Sequence, residues 1–137
     1  MTREQFSIKH SELIMLFQCI EYTLKRIYSG MSAEDFSDEM EMLETSNWGN
    51  TLRLLKQLDE SDGTPCLSAS DYEQLDNLRE LRNYWVHQCY LDFLCITDPR
   101  QRESKFQKTA NRLTNEYNRT RKLLEKLEGR YHAWFRE

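Results

Sequence analysis

The segment RNYWVH, residues 82 to 87, places an arginine, an asparagine and a histidine within six consecutive positions. A guanidinium offers an anion a planar fork of donors, and an imidazole titrates near neutral pH. An amide can donate or accept beside either. Together these types can hold an anion and move a proton next to it. Each also has a bland reading. A helical His is more often a surface or hydrogen-bonded residue than a catalyst, and a helical Arg is usually an ion-pair partner. What decides between these readings is how the surrounding element presents the three side chains.

Apolar residues three and four apart predict one helix from about Asp71 to Cys95, with Ser70 and Glu73 as its capping box. On a wheel of about 100° per residue with His87 at zero, Leu81, Trp85, Leu78, Cys89, Leu75 and Phe93 form an apolar arc. Arg82 falls inside that arc, at about −140°. A guanidinium cannot be deprotonated, and burying it unpaired costs several kcal/mol. Arg82 is therefore expected to snorkel to the rim, pair with an acidic residue, or line a cavity that receives an anion. On the opposite face His87 is flanked by Asn83, Asp76 and Glu80, but also by Tyr90, Leu91 and Leu94. Such a mixed face is expected to be covered by another helix or by a second copy of the chain. His10 and His132 have no sequence partners that raise them above surface residues.

The rest of the chain also reads as helices. Phe6, Leu13, Leu16, Phe17, Ile20, Leu24 and Ile27 mark a first helix that stops near Gly30. Ser32 and Asp35 resemble a cap before a short face of Phe36, Met40 and Leu43, and TSNWGN interrupts before Trp48, Leu52, Leu55 and Leu58. Residues 60 to 70, ESDGTPCLSAS, are the clearest loop. Asp98-Pro99 reads as a cap with Pro at the first helical position. The last helix is expected to bury Phe106, Ala110, Leu113, Tyr117, Leu124, Leu127, Tyr131 and Trp134, with Gly129 as a fray or break. The fold class is thus all-α: a single domain over 1–137, an up-and-down bundle of four to five helices.

Composition agrees. In a chain of 137 residues, 39% apolar residues with only 4 Gly and 2 Pro favour helices over a sheet-rich fold. Nothing resembles a signal peptide or an apolar run of about 18 residues, so a soluble, cytoplasmic protein without a membrane segment is expected. Cys19, Cys66, Cys89 and Cys95 show no CxxC spacing and read as reduced thiols, three of them packed on helices. A zinc site on Cys89, Cys95 and a His lacks ligand-pair spacing, so no metal and no cofactor are expected.

Charge is unevenly placed. Residues 1 to 99 hold 8 Lys/Arg against 18 Asp/Glu, a balance of −10, and residues 100 to 137 hold 11 against 5, a balance of +6, giving the net −4. The acidic run Glu34, Asp35, Asp38, Glu39, Glu41 and Glu44 contrasts with a basic last segment that could attract phosphates. The plainer expectation is that the two regions neutralise each other across the surface.

RNYWVH resembles the Arg-Asn-x-x-x-His motif of the HEPN superfamily, compact helical-bundle proteins that carry the motif on the penultimate or last long helix. The helical context, the aromatic-rich interval and the motif's place within a domain of this size add to the likeness. The resemblance implies a metal-independent endoribonuclease, usually a homodimer that brings two motifs together. His87 would then be the general acid/base, Arg82 would stabilise charge on the scissile phosphate, and Asn83 would orient the His or bind phosphate. Attack by the ribose 2′-OH would leave a 2′,3′-cyclic phosphate. Arg79, Tyr90, Lys105 and Arg112 are the further candidates for RNA contact. A toxin or defence effector held by an antitoxin or regulatory protein is the implied setting. One toxin branch of the family has Tyr two residues after the His, where this chain has Cys89, with Tyr90 one place later. Two other functions compete: a non-catalytic helical module that binds a protein or nucleotide, and a nucleic-acid binder using the basic last helix.

Overall fold

Helices begin where side chains can satisfy the free N–H groups of their first turns. Thr2 and Gln5 form a capping box on α1, Arg3–Met31. Asp35 accepts from the Asp38 N–H and opens α2, Phe36–Leu43, whereas Ser32, expected to share that role, closes α1 by donating its backbone N–H to the Tyr28 carbonyl. Asn47 caps α3, Trp48–Glu60, and Asp98 caps α6, Pro99–Trp134, with Pro at the first position as expected. The structure is a computed structural model and describes residues 1–135.

Four expectations need correction. The capping box of α4, Ala69–His87, is Ser68 with Asp71 rather than Ser70 with Glu73. Buried Asp59 sets this start: its carboxylate accepts from the backbone N–H groups of Cys66 and Leu67 at 2.6 and 3.0 Å and from the Tyr72 hydroxyl at 2.6 Å. Next, α4 does not run to Cys95. It ends at His87, and a separate one-turn helix, α5, follows at Leu91–Leu94. Nor does Gly129 break α6, because Leu127 and Tyr131 on either side are buried, and their packing outweighs a glycine cost of about 1 kcal/mol. Trp134 is 44% exposed rather than core. Phe135 occupies that end instead, its ring so close to Gly30 that a Cβ there would clash.

Contacts between helices fix their directions. Tyr28 faces Glu39, Asp59 bonds Tyr72, His10 meets Trp85 and Lys126 pairs with Asp71. Successive passes α1, α2, α3, α4 and α6 therefore alternate, and α1 lies parallel to α6, with Arg3 beside Glu103 and Arg26 over the Tyr131 ring. Among the described residues the arrangement is an up-and-down bundle of six helices rather than four or five, without a strand. Its core is one cluster in which Leu13, Ile20, Leu24 and Ile27 of α1 meet Trp48, Leu55, Leu75, Trp85, Phe106, Leu113 and Leu127. No described helix is long and apolar enough to cross a membrane.

Candidate functional site

The end of α4 is shaped by carbonyls left without helical partners. The Gln88 and Cys89 N–H groups both donate to the Tyr84 carbonyl, at 2.8 and 3.1 Å. That leaves the Trp85 carbonyl free to accept from His10 Nε2 at 2.6 Å and from the Cys89 thiol at 3.3 Å. His10 must carry its proton on Nε2 to donate there. The Tyr84 hydroxyl donates to Asp92 at 2.5 Å, a bond that holds the Asp92 carboxyl below its ordinary pKa, and burial with that same bond pushes the Tyr84 phenol up. Phe93 is thereby buried against Phe6 and Phe106 of the neighbouring helices.

Ending the helix at His87 changes the face expected around it. Tyr90 does not lie beside His87. It turns onto the rings of Phe6 and His10, and Leu91 and Leu94 stay 49% and 58% exposed on α5. His10, which has no neighbour in sequence to flag it, is the residue that pins the end of α4 to α1. Only its hydrogen bond across 75 positions reveals this.

Arg82, Asn83 and His87 come together on one cleft between α1 and α4. Ile14, Phe17, Gln18 and Glu21 supply the α1 wall, Val86 completes the α4 wall, and the cavity is about 330 Å³. Its floor is apolar while His87 and Asn83, one turn apart, are exposed on the rim. Arg82 sits partly over the Trp48 ring, 5.5 Å from its centroid, with Nη1 3.7 Å from Glu21 Oε2. Its side chain is 28% exposed, so it reaches the rim and meets an acid rather than being buried unpaired. Leu78, Trp85 and Cys89 beside it on the wheel are in the core.

The other RNA-contact candidates lie outside this cleft. Arg79 is on the α3 flank, paired with Asp76 at 3.2 Å and close over Gly49. Tyr90 lines a separate hollow of about 380 Å³ with Arg3, Phe93 and Arg102. Arg112 stacks on Tyr84, 4.1 Å from the ring centroid, on the far flank of α4, and Lys105 is exposed on the same helix near Asp92. Among the described residues no three His, Cys, Asp or Glu side chains gather as a metal site would require.

The cysteines divide by burial. Burial pushes the Cys66 and Cys89 thiols each up to about 11, with the Asp59 charge adding to the effect at Cys66. Cys19 is half-buried, and Cys95, expected to pack on a helix, is exposed because it caps the short α5.

No protein-family model, no curated protein and no solved structure gives a significant match to the chain.

Proposed function

We propose that the chain is a metal-independent endoribonuclease of the HEPN type, working as a homodimer. The observation that carries this reading is that Arg82, Asn83 and His87 line one open cleft with their polar ends at its rim. An RNA phosphate entering there meets a forked cation and an imidazole at once. In the reaction, the ribose 2′-oxygen bonds to the adjacent phosphorus while the bond to the 5′-oxygen breaks. The 2′-hydroxyl gives up a proton and the departing 5′-oxygen gains one, leaving a 2′,3′-cyclic phosphate and a 5′-hydroxyl. Arg82 offsets the charge gathering on the phosphoryl oxygens, and Asn83 holds the phosphate or the imidazole.

The two proton transfers explain why two copies are useful. One His87 takes the proton and the partner subunit's His87 supplies the other, so neither ring must turn over within a single event. A surface suited to such pairing runs past the cleft: Ile8, Met15 and Tyr22, seven residues apart on α1, are each 55% exposed, and Val86 on α4 is 48% exposed. Mixing wild-type with His87→Ala protein, with time for subunits to exchange, tests the reading. Because a mixed dimer lacks one of the two rings, RNA cleavage is expected to fall as the square of the wild-type fraction, and a fall only in proportion to that fraction counts against it.

The Arg82–Glu21 pair favours a second reading, a non-catalytic helical module that binds a protein or nucleotide at the same cleft. Under it, Arg82→Ala weakens stability or association and no RNA is cut by the wild type.

A further inference from the structure

The acidic run and the basic last helix do not neutralise each other by contact. Among the described residues no ion pair joins residues 34–44 to α6, whose cations pair instead with Glu116, Glu125 and Asp71. Positive charge is concentrated on one side of α6. Lys105, Lys108, Arg112, Arg119, Lys122 and Lys126 are all exposed and occupy a sector of about 100° that extends about 32 Å along the helix. Of the acids on α6 itself between Lys105 and Lys126, only Glu116 lies in or beside that sector, and it is buried and engaged with Arg119; from α4 Asp71 meets Lys126, and Asp92 lies near Lys105 and Arg112. Lys105, Lys108 and Lys122 have no acidic partner within ion-pair distance among the described residues.

We propose that this stripe is a track for the phosphate backbone of single-stranded RNA. The inference rests on the RNA reading of the cleft. Two observations select RNA over an acidic protein as the occupant. No large apolar residue is exposed between Pro99 and Ala133, whereas a protein interface builds its centre from such residues and a nucleic-acid interface does not need them. The stripe also flanks the motif helix: Arg112 lies on Tyr84, the residue next to Asn83. A strand whose phosphate sits at His87 thus has cations to follow on the other side of one helix width, about 10 Å. Contacts of this kind fix position without reading sequence.

The test uses the full chain and a 2′-O-methyl RNA, which cannot be cleaved at its blocked 2′-oxygens, with affinity followed by fluorescence anisotropy over a range of salt. For single strands the slope of log affinity against log salt shrinks by about 0.7 for each phosphate that the protein no longer neutralises, so joint Lys105→Gln, Lys108→Gln and Lys122→Gln should flatten it by about 2. Affinity at low salt should fall more than tenfold with helical circular dichroism unchanged. A control triple off the stripe, Arg53→Gln, Lys56→Gln and Arg121→Gln, should keep the wild-type slope. Absent RNA binding, equal flattening by the control, or equal competition by polyglutamate overturns the track. A wild type that binds this way yet cleaves no unmodified RNA defeats the nuclease reading alone. Cleavage by a wild type whose affinity ignores salt defeats the track alone.

Discussion

Arg82 Nη1 lies 3.7 Å from Glu21 Oε2 across the cleft between α1 and α4, with the two side chains 28% and 24% exposed. A pair this long, at the rim of an open cleft, contributes about 1 kcal/mol or less, so a phosphate can displace the carboxylate at little cost. Glu21 thus holds the guanidinium at the rim without locking it there. Glu21→Gln should change stability by less than about 1 kcal/mol in urea unfolding and should strengthen binding of 2′-O-methyl RNA by about fivefold. Unchanged or weaker RNA binding in a folded variant would argue that Arg82 serves only its ion pair.

His10 joins α1 to the end of α4 through the Trp85 carbonyl and also packs on Phe6 and Tyr90. His10→Ala leaves that buried carbonyl with only the weak Cys89 thiol and should cost about 1–3 kcal/mol by chemical denaturation. Cleavage should fall as well, because the end of α4 carries His87. Loss of stability with full activity would separate the anchor from the site.

Acid should unfold the protein partly through Asp71. Burial raises this carboxyl, but hydrogen bonds from the Lys126 ammonium and the Ser68 N–H outweigh it and hold its pKa below the ordinary value. A carboxyl depressed in the folded state stabilises at pH above its unfolded value, about 3.9, and that stabilisation is lost as pH falls through the folded value. Asp71→Asn should therefore be less stable than the wild type at pH 7, and the gap should shrink below about pH 4. Denaturation midpoints at both pH values check this; a gap independent of pH would contradict it.

Thiol reagents should distinguish the cysteines. Cys95 is exposed and should react first at pH 7.5, while Cys66 and Cys89, buried and pushed up to about 11, should react only on unfolding. Fast labelling of Cys89 in the native protein would mean that the end of α4 opens readily.

The bundle is legible in the sequence because helical spacing of apolar residues survives without knowledge of partners. Phe6 to Ile27 and Phe106 to Tyr131 mark the two long helices, and Asp98-Pro99 is a local signal that the structure uses as read. What cannot be read is set at long range. Nothing in Gln88-Cys89-Tyr90 announces a helix end, since the break depends on His10 taking the Trp85 carbonyl and on Phe93 reaching Phe6. The start of α4 is ambiguous for a similar reason: Ser70 and Glu73 fit the capping pattern as well as Ser68 and Asp71, and only Asp59 and Lys126 decide between them. Asn83 and His87 share a face because they stand four positions apart on one helix, which spacing alone conveys, whereas Arg82, about 140° from His87 on the wheel, reaches their cleft only because its long side chain passes over Trp48 to Glu21. Glu21 opposite them is hidden because its partner is 61 positions away.

The most direct test of the central claim is cleavage of a mixed RNA pool in EDTA by the wild type and by His87→Ala, after matching their helical circular dichroism. Cleavage by the wild type alone is expected, with 2′,3′-cyclic phosphate ends. A folded, dimeric wild type that leaves the pool intact, or a His87→Ala protein that cuts as well as the wild type, would contradict it.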